Sequence, residues 1–131
     1  MVKLTQPIYP VKRENDVPAP MRDGVVLRAD IYRPQGVGPF PVIVMRTPYD
    51  KRRQQQAEEG EALAARGYIV VIQDIRGRYA SEGEFDPFYS PTCGETCTAD
   101  GYDTVEWAAA LSDSSGAVGT AGVSYMAWTQ W

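Results

Sequence analysis

The chain has 131 residues, of which 44% are hydrophobic and 23% charged, a composition typical of a globular domain and not of a disordered or repetitive protein. Its 13 basic and 17 acidic residues give a net charge of −4, which argues against nucleic-acid and anionic-membrane partners because phosphate recognition needs a cationic surface. No apolar run approaches the roughly 18 to 20 residues of a membrane span, and the first residues lack the apolar stretch of a secretory signal, so we expect a cytoplasmic protein.

The N-terminal part predicts a strand preceded by a turn. Residues 1–20 contain four prolines and mixed charges, so we interpret them as an extended lead-in without an element of its own. Residues 21–24 (MRDG) predict a turn, because Asp-Gly tolerates the positive φ of tight hairpins. In residues 25–32, Val25, Leu27, Ala29 and Ile31 alternate with the other side chains, the period of a half-buried strand.

Two continuous apolar runs follow, PVIVM at 41–45 and YIVVI at 68–72. Short runs of this kind are typical of strands covered on both faces in a parallel sheet. Between them, residues 53–66 are rich in Gln, Glu and Ala and are followed by Gly67, which predicts a helix closed by a C-terminal glycine.

The last third predicts a helix, a strand and the start of another helix. Residues 100–111 favour a helix capped by Asp100, with Tyr102, Val105 and Ala109 on one face. Residues 117–122 (AVGTAG) predict a strand of small residues, and Ser124 begins the next helix.

The order of elements is thus a β-hairpin, then β, α, β, α, β and the beginning of a helix. It predicts an α/β fold with a mostly parallel sheet and an antiparallel N-terminal strand pair. Ligands bind such sheets at the carboxyl ends of the strands. The loops RTPYDK, QDIRGRY and GVSYM would meet there.

Cysteine usage gives no reason to expect a metal or a cofactor. Cys93 and Cys97 are too few for a disulfide-built scaffold and are half of a four-ligand zinc site, and the chain has no histidine to complete one. We expect either a local disulfide or two loop thiols.

The stretch AGVSYMAW, residues 121–128, places a serine between a strand and a helix. In a nucleophile elbow the close neighbours of the serine must be small; Gly122 satisfies this, whereas Met126 replaces the usual second glycine. An N-cap serine is the alternative interpretation of Ser124. Ser124 lies at the carboxyl end of the third covered strand, where free amides of a helix N-terminus can bind an oxyanion. This position favours the interpretation of Ser124 as a nucleophile.

Five segments make this pattern more specific. MRDGVVLRADIYRP, PVIVMRTPYDK, GYIVVIQDIRGRYASEGEF, DGYDTVEWAAAL and GVSYMAWTQW, in this order and spacing, resemble the start of the cocaine-esterase and Xaa-Pro dipeptidyl-peptidase group of α/β-hydrolases. The resemblance implies that residues 21–131 are an incomplete α/β-hydrolase catalytic domain, truncated after the nucleophile elbow. A helical cap and a C-terminal jelly-roll domain would complete the full-length protein.

The resemblance also implies roles for individual residues. Ser124 matches the nucleophile of a G-x-S-Y-x-G turn, with Ala127 in place of the last glycine. Tyr125 matches the residue whose backbone N–H forms half of the oxyanion hole, and Tyr49 the tyrosine whose phenol forms the other half. Without the family, Tyr49 would be interpreted as a half-exposed loop aromatic.

Other distinctive residues are predicted to be structural. An ion pair between an arginine and a carboxylate should hold the loop that contains Asp74, Arg76 and Gly77, with Ser81 and Gly83 shaping it. The tryptophans should pack in the core or between domains, and three acidic residues should face solvent: Trp107, Trp128 and Trp131, and Glu82, Glu84 and Asp86.

Serine acyl transfer needs a general base, and in this fold the triad acid and histidine follow the serine in the chain. Both would lie after residue 131, and Asp23, Asp50, Asp74 and Asp103 match no triad position. We therefore expect the N-terminal part of a serine hydrolase that is inactive by itself.

Several alternatives stay open at this point. The chain could instead be a complete, non-catalytic α/β module that binds a ligand or partner at the same loops. Within the enzyme class, esters, β-lactam side-chain amides and Xaa-Pro peptides are all possible substrates, that is, small-molecule esters or amides or short peptides. The oligomeric state is not determined.

Overall fold

The computed structural model describes residues 6–88 and 94–130, without the side chains of 94–98. The predictions about Cys93, Cys97 and Trp131 lie outside these described residues. The described chain forms a five-stranded sheet in the order β1-β2-β4-β3-β5, with helices on both faces. The strands are β1 Val11–Pro20, β2 Val26–Pro34, β3 Phe40–Thr47, β4 Ile69–Asp74 and β5 Ser114–Thr120, and the helices are α1 Gln54–Ala64, α2 Gly94–Ala109 and α3 Tyr125–Trp128.

Strand β1 corrects the prediction that the first 20 residues form no element. It pairs antiparallel with β2 and lies at the edge of the described sheet. Pro18 and Pro20 fit there because a proline, which has no N–H to donate, is tolerated on an edge strand. The pairing shifts between Glu14 and Val17, and Asp16 takes a φ of 52° in this bulge.

Strand β2 is buried on both faces, not on one. Leu27, Ala29 and Ile31 are buried as the alternation predicts, but Asp30 and Tyr32 are buried as well. Local alternation could not show this, because β2 lies between β1 and β4 and its second face is covered by α1.

The predicted covered strands β3 and β4 are confirmed. Strand β5, predicted as a third covered strand, is mostly exposed because it lies at the edge of the described sheet. Strands β4, β3 and β5 run parallel to one another. On one face of the sheet, Met45, Val70 and Ile72 pack with Ala64 of α1. On the other face, Val44 and its neighbours pack with Ala108 of α2. The carboxyl ends of the three strands therefore meet at one edge, together with the loops that follow them.

Helix α2 starts six residues before the predicted start, so Asp100 is not its N-cap. Asp100 instead lies buried within the helix, with Thr104 and Ala108 on the same buried face, while Tyr102 is 63% exposed. The predicted apolar face was wrong because polar contacts orient this helix: Thr104 donates to Gln73 of β4 at 3.0 Å, and Asp100 binds Arg76.

Candidate active site

The turn between β5 and α3 holds Ser124 in an unusual backbone conformation. Ser124 has φ 56° and ψ −126° and directly precedes α3. A positive φ is uncommon outside glycine because the β-carbon crowds the backbone. The side chain makes no capping hydrogen bond to the helix, and the residue is exposed. The N-cap interpretation therefore has no hydrogen bond to support it.

Gly122 allows this turn to be so tight. Its φ is 148°, and a β-carbon there would lie 2.5 Å from Cβ and 3.0 Å from the carbonyl carbon of Met126. Only glycine fits without displacing the first turn of α3. Met126, which stands where a second glycine was expected, is buried and packs in the core cluster that contains Met45 and Ile72.

Tyr125 is the first residue of α3 and is buried. The first N–H groups of a helix have no intrahelical partner, so the Tyr125 amide N–H makes no hydrogen bond within α3. The phenol is held from the other side: the Tyr125 hydroxyl accepts a hydrogen bond from Phe88 N–H at 2.8 Å.

Tyr49 lies in the loop between β3 and α1 and is 37% exposed. Its ring contacts the Tyr125 ring edge-on, with centroids 6.2 Å apart, and the Arg53 guanidinium lies 5.5 Å from its centroid. The fold therefore brings Tyr49, which is 75 residues from Ser124 in the chain, to the aromatic side chain next to the serine.

Aromatic side chains surround this turn. The Phe88 ring lies 4.6 Å from that of Tyr125 and 5.8 Å from that of Trp128. Trp128 is 47% exposed, so it is not a core residue of this chain, whereas Trp107 packs against the core as predicted. The result is an exposed aromatic surface beside Ser124.

Lys51, two residues after Tyr49, is buried at the carboxyl end of the sheet. Its backbone N–H donates to Asp74 Oδ1 at 2.8 Å, and its Nζ donates to Asp74 Oδ2 at 3.1 Å. Nζ also pairs with Asp16 Oδ1 at 2.7 Å and lies 3.8 Å from Asp30 Oδ1. Burial by itself would lower the pKa of Lys51, but the hydrogen bonds to Asp16 and Asp74 outweigh it and raise that pKa.

Two arginines complete the charge balance of this cluster. Arg13 pairs with Asp30 at 2.7 Å, and Arg52 pairs with Asp16. Three cations thus face three carboxylates. Charged groups that are buried in a protein need such oppositely charged partners. The ammonium of Lys51 beside Asp16 lowers the pKa of that carboxyl.

Arg76 forms the ion pairs that were predicted to hold its loop. It binds Asp100 through two hydrogen bonds of 2.8 and 2.7 Å and Asp23 through one of 2.8 Å. These contacts raise the pKa of Arg76, and the guanidinium lowers the pKa of Asp23. Gly77 has a φ of 70°, and a β-carbon there would lie 2.1 Å from Phe85 N, so the loop folds back tightly upon itself.

A polar cavity of about 240 Å³ lies beside the Tyr49 loop, lined by Asp50, Lys51, Arg52, Asp74, Tyr79 and Ala80. Ser124 and Tyr125 do not line it. In the part of the chain that the structure describes, no group of three or more His, Cys, Asp or Glu residues is arranged to hold a metal ion. None of the described helices combines the length and the apolar character of a membrane span.

Lys51, Asp16 and Asp30 were not predicted from the sequence as parts of this region. Asp16 lies in a segment that was interpreted as having no element, and Asp30 was assigned to a half-exposed face. The Asp-Lys pair after a covered strand was the only local signal. It does not reveal partners that are 21 and 35 residues away in the chain.

Comparisons with known proteins identify the family of the chain. Residues 23–131 match the profile of the X-Pro dipeptidyl-peptidase (S15 family). The chain is 44% identical over 121 residues to cocaine esterase from Rhodococcus sp. (strain MB1 Bresler), an alignment that covers 89% of this chain and 20% of the relative.

Solved structures show the same fold. An α-amino acid ester hydrolase superposes with a TM-score of 0.77 at 32% identity over 98% of this chain and 24% of the other. A CocE/NonD family hydrolase from Staphylococcus aureus superposes with a TM-score of 0.76 at 32% identity, over 91% and 24%.

The chain spans about a fifth to a quarter of the length of these relatives. Its mixed sheet matches the N-terminal part of the α/β-hydrolase neighbours, which confirms the predicted fold class. The profile covers most of the chain, and the chain belongs to the X-Pro dipeptidyl-peptidase (S15) family.

Proposed function

We propose that this chain carries the nucleophile and both oxyanion donors of a serine hydrolase. Ser124 is the nucleophile, the Tyr125 backbone N–H is one oxyanion donor, and the Tyr49 hydroxyl is the other. The observation that carries the proposal is the backbone of Ser124, with φ 56° in a strand-to-helix turn that only glycine at 122 permits. A strained strand-to-helix turn that exposes the serine hydroxyl is the defining feature of a nucleophile elbow.

The chemistry of the two donors suits acyl transfer. Attack of the Ser124 oxygen on a carbonyl carbon places a negative charge on the carbonyl oxygen, and donors aimed at that oxygen stabilise the transition state. Collapse of this intermediate expels the leaving group and leaves an acyl-enzyme, which water then hydrolyses. Tyr49 and Tyr125 are in ring contact, which supports their action on the same oxygen.

The general base must come from outside the given sequence. The 131 residues contain no histidine, and a serine hydroxyl without a base is a poor nucleophile near neutral pH. We propose that the triad acid and histidine lie further along a longer polypeptide, and that the 131-residue chain alone shows essentially no ester hydrolysis. Turnover by the purified chain comparable to that of an ordinary esterase would contradict this.

The proposed substrates carry a small acyl group in an ester, amide or peptide bond, which the enzyme would hydrolyse. The matching family is described as X-Pro dipeptidyl-peptidase, and relatives include a cocaine esterase and an α-amino acid ester hydrolase. Ester and amide bonds share the tetrahedral oxyanion that this turn would stabilise. The choice among them depends on residues that contact the acyl and leaving groups.

The test is covalent labelling of the longest polypeptide that the source gene encodes with this sequence. A fluorophosphonate probe should label it, and Ser124→Ala should abolish labelling. Ser115→Ala, which removes an exposed serine of β5, is the matched control and should label normally. Labelling that persists in Ser124→Ala would refute Ser124 as the nucleophile. No labelling of the wild-type polypeptide would favour a non-catalytic binding module.

A further inference from the structure

The side chain of Tyr49 is weakly held for a group that must point at a reacting oxygen. Among the residues that the structure describes, none forms a hydrogen bond with its hydroxyl. The ring is 37% exposed, makes an edge contact with Tyr125 and has a cation–π contact with Arg53. The direction of the phenol therefore depends on the backbone of the loop between β3 and α1.

That backbone is anchored just before Tyr49. Arg78 Nε donates to the Pro48 carbonyl at 3.0 Å. Tyr49 N–H donates to Thr47 Oγ1, also at 3.0 Å. Thr47 is the last residue of β3 and pairs with Asp74 of β4. The loop thus leaves the sheet from a fixed point.

The second anchor lies two residues after Tyr49, at Lys51. The carboxylate of Asp74 accepts hydrogen bonds from both the backbone N–H and Nζ of Lys51. The same Nζ pairs with Asp16 in the bulge of β1. One side chain therefore ties the loop to the end of β4 and to the edge strand.

The charges make this anchor difficult to loosen. Lys51 and Asp74 are both fully buried, and separating buried charges leaves each of them without compensation. Among the residues that the structure describes, a neutral residue at 51 would leave the carboxylates of Asp16, Asp30 and Asp74 with only Arg13 and Arg52 as cationic partners. We expect the loop to move in response.

We propose that Lys51 is a positioning residue that holds the Tyr49 hydroxyl in place for oxyanion stabilisation. This inference rests on the proposed function. Lys51 acts through Tyr49 and not on the substrate, because its ammonium is enclosed by carboxylates of the protein. Lys51 and Asp74 line the polar cavity, whereas Ser124 and Tyr125 do not.

The test is a double-mutant cycle in the longest polypeptide encoded with this sequence, with 4-nitrophenyl acetate as substrate. Tyr49→Phe should lower kcat about 100-fold, as loss of one oxyanion donor does. Lys51→Met should lower kcat about tenfold and change KM less than about twofold, because only the transition state gains from the hydroxyl. In the Tyr49→Phe background, Lys51→Met should lower kcat less than about twofold.

The controls separate positioning from general damage. Lys12→Met removes an exposed lysine of β1 and should leave kcat unchanged. If Lys51→Met does not fold, Asp16→Asn takes its place, since the Asp16 side chain is 40% exposed. This variant should lower kcat about threefold, and only when Tyr49 is present.

Each outcome decides between the two proposals. Equal losses from Lys51→Met with and without Tyr49, or no loss in either, would overturn the positioning role while leaving Tyr49 as an oxyanion donor. No loss in Tyr49→Phe itself would instead overturn the donor role on which the inference rests. A non-additive cycle supports both.

Discussion

Arg76 and Asp100 form a two-point ion pair, with Nε 2.8 Å from Oδ2 and Nη2 2.7 Å from Oδ1. Their side chains are 10% and 1% exposed. The pair joins the loop after β4 to the interior of α2 and explains why α2 presents a polar face to the sheet. A planar guanidinium that binds both oxygens of a carboxylate fixes direction as well as distance.

Loss of either partner should destabilise the chain. We expect Asp100→Leu to lower the free energy of unfolding by about 2 to 3 kcal/mol, because Arg76 keeps Asp23 but loses its buried partner. Denaturant-induced unfolding of the 131-residue chain measures the change. The double variant Arg76→Met/Asp100→Leu should recover part of it. Arg22→Met, which breaks the exposed pair with Asp103, is the control and should have little effect. If Asp100→Leu and Arg22→Met lowered the free energy of unfolding equally, this account would be contradicted.

Gly122→Ala should distort the serine turn. The new β-carbon would lie 2.5 Å from Cβ of Met126 at a φ of 148°, so we expect a loss of more than about 1 kcal/mol in the free energy of unfolding. Gly119→Ala is the matched control, since a β-carbon there meets no atom within 4 Å. Thermal melting of both variants compares them, and a Gly122→Ala protein as stable as the control would show that the turn is less tight than described.

Stability should fall in acid. Arg76 lowers the pKa of Asp23. A lowered folded-state pKa contributes stability that is fully present above the unfolded value, about 3.9 for aspartate, and that is lost as pH falls through the folded value. Unfolding midpoints in urea should therefore drop below about pH 4. The drop should be shallower in Asp23→Asn, and an unchanged pH profile in that variant would argue against the ion pair with Arg76.

Tyr49 and Tyr125, the two proposed oxyanion donors, should respond differently to loss of a hydroxyl. Tyr125 is proposed to act through its backbone, so Tyr125→Phe should lower kcat less than about threefold, whereas Tyr49→Phe should lower it about 100-fold. Tyr125→Phe also removes the acceptor for Phe88 N–H, so its melting temperature should be measured alongside. A large loss of kcat in Tyr125→Phe with normal stability would assign the phenol of Tyr125 a direct role.

The parallel part of the fold was predictable because its signals are local. Two apolar runs predicted β3 and β4, and Gly67 predicted the end of the region of α1. Each of these signals lies within a few residues of the element that it predicts. Strand β1 was missed because its prolines argue against a strand until its position at the sheet edge is known. The start of α2 was missed because contacts with Arg76 and the sheet, and not a cap at Asp100, determine its placement.

By itself, the sequence determined that Gly122 lies two residues before Ser124 and that this serine follows a short strand. It also determined that no histidine lies within these 131 residues. Only the tertiary structure decided that Tyr49 lies against Tyr125 and that Lys51 is enclosed by Asp16 and Asp74. These contacts exist because β3 lies between β4 and β5 and because β1 and β2 pair across a bulge. Strand order and register arise from pairing distant segments, which no local pattern of residues encodes.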